Sequence, residues 1–574
     1  MCYIVRMCLF KSAAIFFSTL IFVLCNHHIH DSKSKFHYKH KSRVDYKASE
    51  PFLEVKVEHG LVLGRKINSI YGFNGIPYAK PPIGKLRFEP PQTPNRWQGT
   101  WNATFDRNQC IQTELLEQLS LPSLSGSEDC LYINVYIPQK PDKRTLLPVM
   151  VWIYGGGFIT GNSSYDLYGP DGLVDQNIIV VSFNYRLGIF GFLSTGDDVA
   201  PGNIGLKDQI FALKWVKKNI KRFGGDPKKV TIFGESAGGA SVSLLVISPL
   251  AKGLFQKAIM QSGTAICPWA FSRTAREAAF KVGARLNIRT QNSRSLVDQL
   301  KNVSADSLQS QSLSVLAELL FRDPLNGLIF APVLEHASED AVIHDEAYES
   351  LDKGNFNQVP QIIGYTSLEA ALLANISPLV ALFTILLNFT PSRLVPLDMN
   401  ADETQLDTIG RRIRNFYAGS NGSILFPSDN LINYLSDHFF VRPVQKTVNL
   451  TSKYVTTYLY RFSYTTNLAA KGAAHADELP YLFNSDRNST DDRLIKKCMI
   501  KLWTNFAKYS DPTPDNENTC GKVTWKPLKP NDRSQMYYLN INRTTTSGQN
   551  PSREAIVFWD NLYRQYGNRP FNTY

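Results

Sequence analysis

From residue 51 onward, short apolar runs bounded by turn residues alternate with amphipathic stretches. Val149–Tyr154, Ile178–Phe183, Val230–Phe233, Ala258–Met260 and Gln361–Ile363 are such runs, of the length of buried strands. Between them, Leu206–Phe223 repeats Ile210, Leu213, Val216, Ile220 and Phe223 at helical spacing, with Lys214, Lys217, Lys218 and Lys221 on another face. This alternation predicts an α/β chain: a mostly parallel central sheet flanked by helices on both faces. No internal repeat and no Gly-, Ser- or Pro-rich linker breaks residues 51–574. One large domain is expected there, although 574 residues would allow three or four.

The first fifty residues read differently. Arg6 and Lys11 precede the apolar run 12–25, the pattern of a secretory signal peptide over residues 1–25. Fourteen residues make about 21 Å of helix, short of a hydrocarbon core of about 30 Å. No other stretch reads as a membrane span. Residues 26–50 form a polar leader with five histidines (His27, His28, His30, His37 and His40) and too little apolar content to fold. It reads as a flexible basic tract, and no metal is expected there or elsewhere. Beyond residue 25 stand Cys110, Cys130, Cys267, Cys498 and Cys520, an odd number that leaves at least one thiol unpaired. Sequons at Asn102, Asn162, Asn302, Asn375, Asn388, Asn421, Asn449, Asn488 and Asn542 accompany them, so a secreted, glycosylated protein is expected.

Lys plus Arg is 62 against 50 Asp plus Glu, a formal charge of +12. The leader and signal segment carry part of it, and residues 214–229 concentrate seven bases against Asp226 alone. Those bases cover one helix and its following turn and read as a solvated face, so nucleic acid is not an expected partner. The overall composition is that of an ordinary globular protein.

The chemistry centres on Gly234-Glu235-Ser236-Ala237-Gly238, a G-x-S-x-G between the apolar run VTIF and a small-residue helix. A Ser on a sharp strand-to-helix turn exposes its hydroxyl as a nucleophile. It needs a base, and His475 stands in a small-residue turn (GAAHADELPYLF), unlike His59, His336, His344 and His438. Glu369 follows the apolar run PQIIG, just past a strand end, where a carboxylate can fix an imidazole tautomer. Gly155-Gly156-Gly157-Phe158 follows VMVWIY, and consecutive glycines expose backbone N–H groups suited to an oxyanion.

With GIPYAKPPIGKLRFEPPQ (75–92), SEDCLYINVY (127–136), WIYGGGF (152–158), FGGDPKKVTIFGESAGG (223–239) and HADELPYLF (475–483), the chain resembles the type-B carboxylesterases of the cholinesterase/carboxylesterase family, most of all the secreted insect type. The resemblance runs from about residue 53 to 565. It implies an α/β-hydrolase fold with Ser236, Glu369 and His475 as a triad and the N–H groups of Gly156, Gly157 and Ala237 as oxyanion donors. It also implies supporting roles for Glu235, Glu478 and Ser262 behind the triad, Trp269 and Phe158 as acyl-pocket walls, and ion pairs Arg87–Glu128 and Arg186–Asp208. A disulfide Cys110–Cys130 and a free buried Cys267 are implied too, and a Cys498–Cys520 bridge is possible. The acid motif departs from the family pattern at its last position, where Ala370 replaces Gly.

The implied activity is hydrolysis of small-molecule carboxylic esters without a cofactor, by a monomer or homodimer. Acetylcholinesterases carry a choline-binding Trp within the loop closed by the first disulfide, whereas residues 111–129 here contain none. A neutral, apolar ester therefore fits better. Juvenile hormone esterases carry Gln before the nucleophile, where this chain has Glu235, which points to a general carboxylesterase. The alternatives are an esterase specialised for a hormone, odorant or lipid ester, and a non-catalytic adhesion relative of the neuroligin type. The retained triad and the lack of a membrane stalk speak against the latter.

Overall fold

The structure, a computed structural model, describes residues 52–574 apart from 116–121, 139–143, 324, 326, 372–383, 385–386, 421, 426–427, 468–469, 516–519 and 533–534. The signal segment, the leader, Asn375 and Asn421 lie outside the described residues. The chain opens with β1 (Phe52–Val57), β2 (Gly60–Ile67) and β3 (Ile70–Pro77), then β4 (Thr100–Asn102) beside β2 and a separate hairpin of β5 (Gln112–Leu115) and β6 (Pro122–Ser125). The main sheet continues through β7 (Tyr132–Ile137), β8 (Leu147–Ile153), β9 (Ile179–Phe183), β10 (Gly225–Glu235) and β11 (Lys257–Gln261). It closes with β12 (Gln361–Thr366), β13 (Thr457–Phe462), β14 (Tyr537–Ile541) and β15 (Thr546–Gln549).

Their spatial order is β1-β2-β3-β7-β9-β8-β10-β11-β12-β13-β14-β15. From β9 to β14 every neighbouring pair is parallel. Antiparallel pairs flank that block. All five strands expected from the apolar runs are present, each in the parallel block and most of them longer than the run that announced them. Every residue of β9, β11 and β12 is buried, as parallel strands covered on both faces must be.

The expected amphipathic helix is α1 (Ile204–Asn219), followed by a 3-10 turn at Ile220–Phe223; its Ile210, Leu213 and Val216 are buried, and its Lys214, Lys217 and Lys218 face solvent. The helix after Ser236, α2 (Ala237–Ile247), is buried along its whole length, so its polarity could not be periodic. Its last carbonyls are closed by Asn357, whose N–H donates to Val246 O (2.8 Å) and whose Nδ2 donates to Ser248 O (2.9 Å). α3 (Thr490–Tyr509) starts on a capping box of Ser489 and Asp492 and packs across β8 and β10.

Cys110–Cys130 and Cys498–Cys520 are disulfide-bonded, and Cys267 is free and buried. Arg87 makes a two-pronged pair with Glu128. Arg186, in the loop after β9, donates Nε (2.8 Å), Nη2 (2.6 Å) and its backbone N–H (3.1 Å) to Asp208 of α1, and both side chains are buried. That pair ties the loop to the helix. Removing one member leaves a buried charge without its counter-ion. Asp208→Asn is therefore expected to cost about 3–5 kcal/mol of stability, read from the shift of the urea unfolding midpoint. A change within experimental scatter would show that the pair holds nothing.

Candidate active site

Four chain segments meet past the carboxyl ends of β8, β10, β12 and β13. The first is the turn from β10 into α2. Ser236 there adopts φ 57°, ψ −125°, a backbone state few residues occupy. Crowding explains both flanking glycines. A Cβ on Gly238 would lie 2.0 Å from Ile153 O, and one on Gly234 would lie 2.5 Å from the Gly238 carbonyl. Without side chains at these positions α2 can approach β8 closely, and the turn is pressed into its shape.

The second segment is Gly155–Phe158, after β8. Gly156 has φ +118°, and a Cβ there would sit 2.0 Å from Thr160 O. The loop is held by Tyr185, whose hydroxyl donates to Tyr154 O (2.9 Å) and whose ring stacks on that of Tyr154 at 4.5 Å. Gly188 N–H donates to Phe158 O (2.7 Å) and fixes the other end. Gly155 lies against the Ser236 turn: a Cβ on it would be 3.0 Å from Ser236 Cβ. The N–H groups of Gly156, Gly157 and Ala237 have no acceptor among the described residues.

The third and fourth segments bring Glu369 and His475 together. Glu369 is fully buried. Its Oε2 lies 2.5 Å from His475 Nδ1, and its Oε1 accepts from Ser262 Oγ (2.6 Å) and Thr366 N–H (2.7 Å). His475 N–H also donates to Glu369 O (3.2 Å), so both backbone and ring are aligned by one residue. The other imidazole nitrogen, Nε2, makes no hydrogen bond; it lies 3.0 Å from Glu235 Oε1, off the direction a hydrogen bond requires. Glu235 is the chain neighbour of Ser236.

Three buried carboxyl groups thus surround one imidazole, and they do not share its charge equally. Burial pushes Glu235 up to about 8; His475 opposes this, while Glu478 and Glu369 add to it. Burial, with Glu369, pushes Glu478 up to about 7. Glu478 Oε1 accepts from Gln261 Nε2 (3.1 Å) and Tyr460 OH (3.4 Å), and its Oε2 is unbonded. Burial disfavours the imidazolium of His475, yet Glu235 and Glu369 outweigh it and raise the group above its ordinary 6.5.

Of the two aromatic residues expected to wall the acyl pocket, Trp269 is linked to this cluster through Phe440. Trp269 lies 5.8 Å from the ring of Phe440, which lies 4.7 Å from the ring of His475. Phe158 is buried edge-on against Phe192. Phe440 was missed by sequence reasoning, because its neighbourhood HFFV carries no motif. Gln261 and Trp503, which hold Glu478 through a donor chain (Trp503 Nε1 to Gln261 Oε1, 3.0 Å), were missed as well. Among the other histidines, His438 is buried beside Arg442 and His336 is exposed on Asp198. No group of His, Cys, Asp and Glu fit to hold a metal occurs among the described residues.

The sequence profile of the carboxylesterase family matches residues 51–559. The chain belongs to that family. It is 37% identical to a juvenile hormone esterase of Tribolium castaneum, over 82% of this chain and 85% of that protein. It is 34% identical to venom carboxylesterase-6 of Apis mellifera, over 87% and 90%. Among solved structures it superimposes on the juvenile hormone esterase of Manduca sexta with OTFP covalently attached, at TM-score 0.77, 27% identity, and coverage of 90% and 100%. A PNB esterase matches at TM-score 0.72 and 31% identity, over 88% and 99%. The fold is the α/β-hydrolase fold of these esterases, and the chain is a carboxylic ester hydrolase.

The carboxyl cluster sets a pH prediction. Removing the negative charge of Glu235 takes away a group that favours imidazolium, so His475 must lose its proton at lower pH. In Glu235→Gln the histidine titration, followed by NMR of ring-labelled protein, should move down by about one unit or more. An upward shift would contradict the assigned electrostatics.

Proposed function

We propose that this chain is a secreted serine carboxylesterase acting on neutral, apolar carboxylic esters, with Ser236, His475 and Glu369 as its triad. Ser236 Oγ attacks the ester carbonyl while His475 Nε2 takes its proton. Glu369 keeps the Nδ1–H tautomer and stabilises the imidazolium as it forms. The tetrahedral oxyanion sits on the N–H groups of Gly156, Gly157 and Ala237. His475 returns the proton to the leaving alcohol. Water, deprotonated by the same imidazole, then attacks the acyl-enzyme and releases the acid.

The observation that carries this reading is the His475 ring. It is clamped by Glu369 at 2.5 Å, and its other nitrogen is unbonded beside the residue that precedes Ser236. The three N–H groups without acceptors support the oxyanion assignment. Glu235, Glu478 and Ser262 serve by holding charge and orientation around the imidazole rather than by meeting substrate. The aromatic side chains Trp269, Phe158 and Phe440 favour an apolar acyl group. No Trp stands in residues 111–129 to receive a cation. Secretion is supported by the signal-like segment, by two disulfides, and by the exposure of the sequon residues Asn102, Asn302, Asn449 and Asn488. Asn388 fits a glycan less well, since its side chain is bonded to Thr384 O and Ile424. A second reading, an esterase specialised for a hormone ester, is favoured by the likeness to two proteins named juvenile hormone esterase. Glu235 in place of Gln speaks for the general enzyme.

Ser236→Ala should lower hydrolysis of 4-nitrophenyl butyrate by about 10⁴-fold or more while circular dichroism stays unchanged. Choline esters should be turned over at least about tenfold more slowly than neutral esters of the same acyl group. Equal rates for the variant and the parent would overturn the reading.

A further inference from the structure

The bases of residues 214–229 have no role in the chemistry above, yet the fold gathers them. Along α1 and its 3-10 extension, Lys217 and Lys218 each stand three or four residues from both Lys214 and Lys221, and all four are exposed. Such spacing puts them on one face, over about 10 Å. Arg222, Lys228 and Lys229, exposed as well, follow at the entry to β10. The fold adds two bases from elsewhere in the chain. Lys217 Nζ donates to Gly253 O (3.2 Å), which brings exposed Lys252 alongside. On the other flank, exposed Arg96 and Lys218 both lie near enough to His59 to disfavour its protonated form.

Against these nine bases stand few acids. Glu58 pairs with Lys218 at 3.4 Å, the one ion pair they make among the described residues, and Asp226 is engaged by the Lys228 N–H. A same-sign cluster of this kind repels itself, but it attracts a polyanion strongly. We propose that this face binds a linear sulfated polysaccharide.

Two features favour that partner. No large hydrophobic side chain of residues 214–229 is exposed, so the lysine row itself offers no apolar wedge for a lipid surface; exposed Leu61 lies at the margin of the face, beside Trp97. The four lysines of α1 and its extension form a row along the helix, suited to a chain of regularly spaced anions. The choice of polysaccharide over nucleic acid rests on the proposed secretion. The placement also makes functional sense. Lys228 and Lys229 stand at the start of β10 and Ser236 follows its end, about 23 Å further along at strand rise. A polymer held there leaves the catalytic mouth free, so the enzyme could be retained on a matrix while working.

The test uses purified full-length enzyme and heparin. Binding should weaken by roughly 100-fold between 50 and 200 mM salt, as release of counterions from four or five contacts requires. The variant Lys214→Gln/Lys217→Gln/Lys218→Gln/Lys221→Gln should lose at least about tenfold in affinity and most of that salt dependence. Its ester hydrolysis should remain that of the parent. A control with the same charge change at other exposed lysines (Lys66→Gln/Lys85→Gln/Lys497→Gln/Lys522→Gln) should keep its affinity. Equal losses in both variants, no heparin binding at 50 mM salt, or tighter binding to anionic vesicles or to DNA than to heparin would each overturn the proposal. Because heparin binding and ester hydrolysis are read separately, failure of one leaves the other standing.

Discussion

The site depends on how closely the helix after Ser236 can approach β8. Ile153 O occupies the space that a Gly238 side chain would need, and Gly155 lies against Ser236 from the same direction. That crowding forces Ser236 into φ 57°, ψ −125° and places its N–H and that of Ala237 at the end of a fully buried helix. A strained residue of this kind costs about 1–3 kcal/mol and persists only when the surroundings over-determine it. Here they do: Ser236 N–H donates to Gln261 O (2.8 Å), and Gly263, against the Ser236 carbonyl, leaves no room for a side chain on the neighbouring strand end. The strain of the turn and the burial of α2 are two sides of one packing solution.

A second constraint is electrostatic. A dry cluster that holds Glu235, Glu369 and Glu478 around one imidazole cannot ionise all three carboxyls. Glu369 receives hydrogen bonds from Ser262 and Thr366 and faces Nδ1, while Glu235 and Glu478 each keep one unbonded oxygen. The differing hydrogen bonding separates the roles. Glu369 is held facing the ring by its two donors, and the other two can hold or release protons near neutrality.

Much of this was legible in the sequence, for identifiable reasons. The parallel strands announced themselves because strands buried on both faces are continuous apolar runs. The turn glycines, the Gly155–Gly157 loop and the GAAHADE segment were legible because backbone crowding admits few residues, and crowding leaves its mark on local sequence. The strands at the two margins of the sheet, β1 and β2 at one and β14 and β15 at the other, half exposed and mixed in polarity, gave no such signal. The partners brought in by tertiary packing were equally silent. Phe440 reaches His475 from a segment 35 residues earlier in the chain, and Trp503 holds Gln261 from another helix. Nothing local marks either one, and the same is true of Arg96 and Lys252 on the basic face.

The central claim is that one hydroxyl, Ser236 Oγ, carries the covalent chemistry. Its most direct measurement is peptide mapping by mass spectrometry after inactivation with an organophosphate ester. A single adduct per chain, on the peptide containing Ser236 and formed in step with the loss of esterase activity, is the result the structure predicts. Full inactivation with Ser236 unmodified, or with the label on another residue, would contradict it.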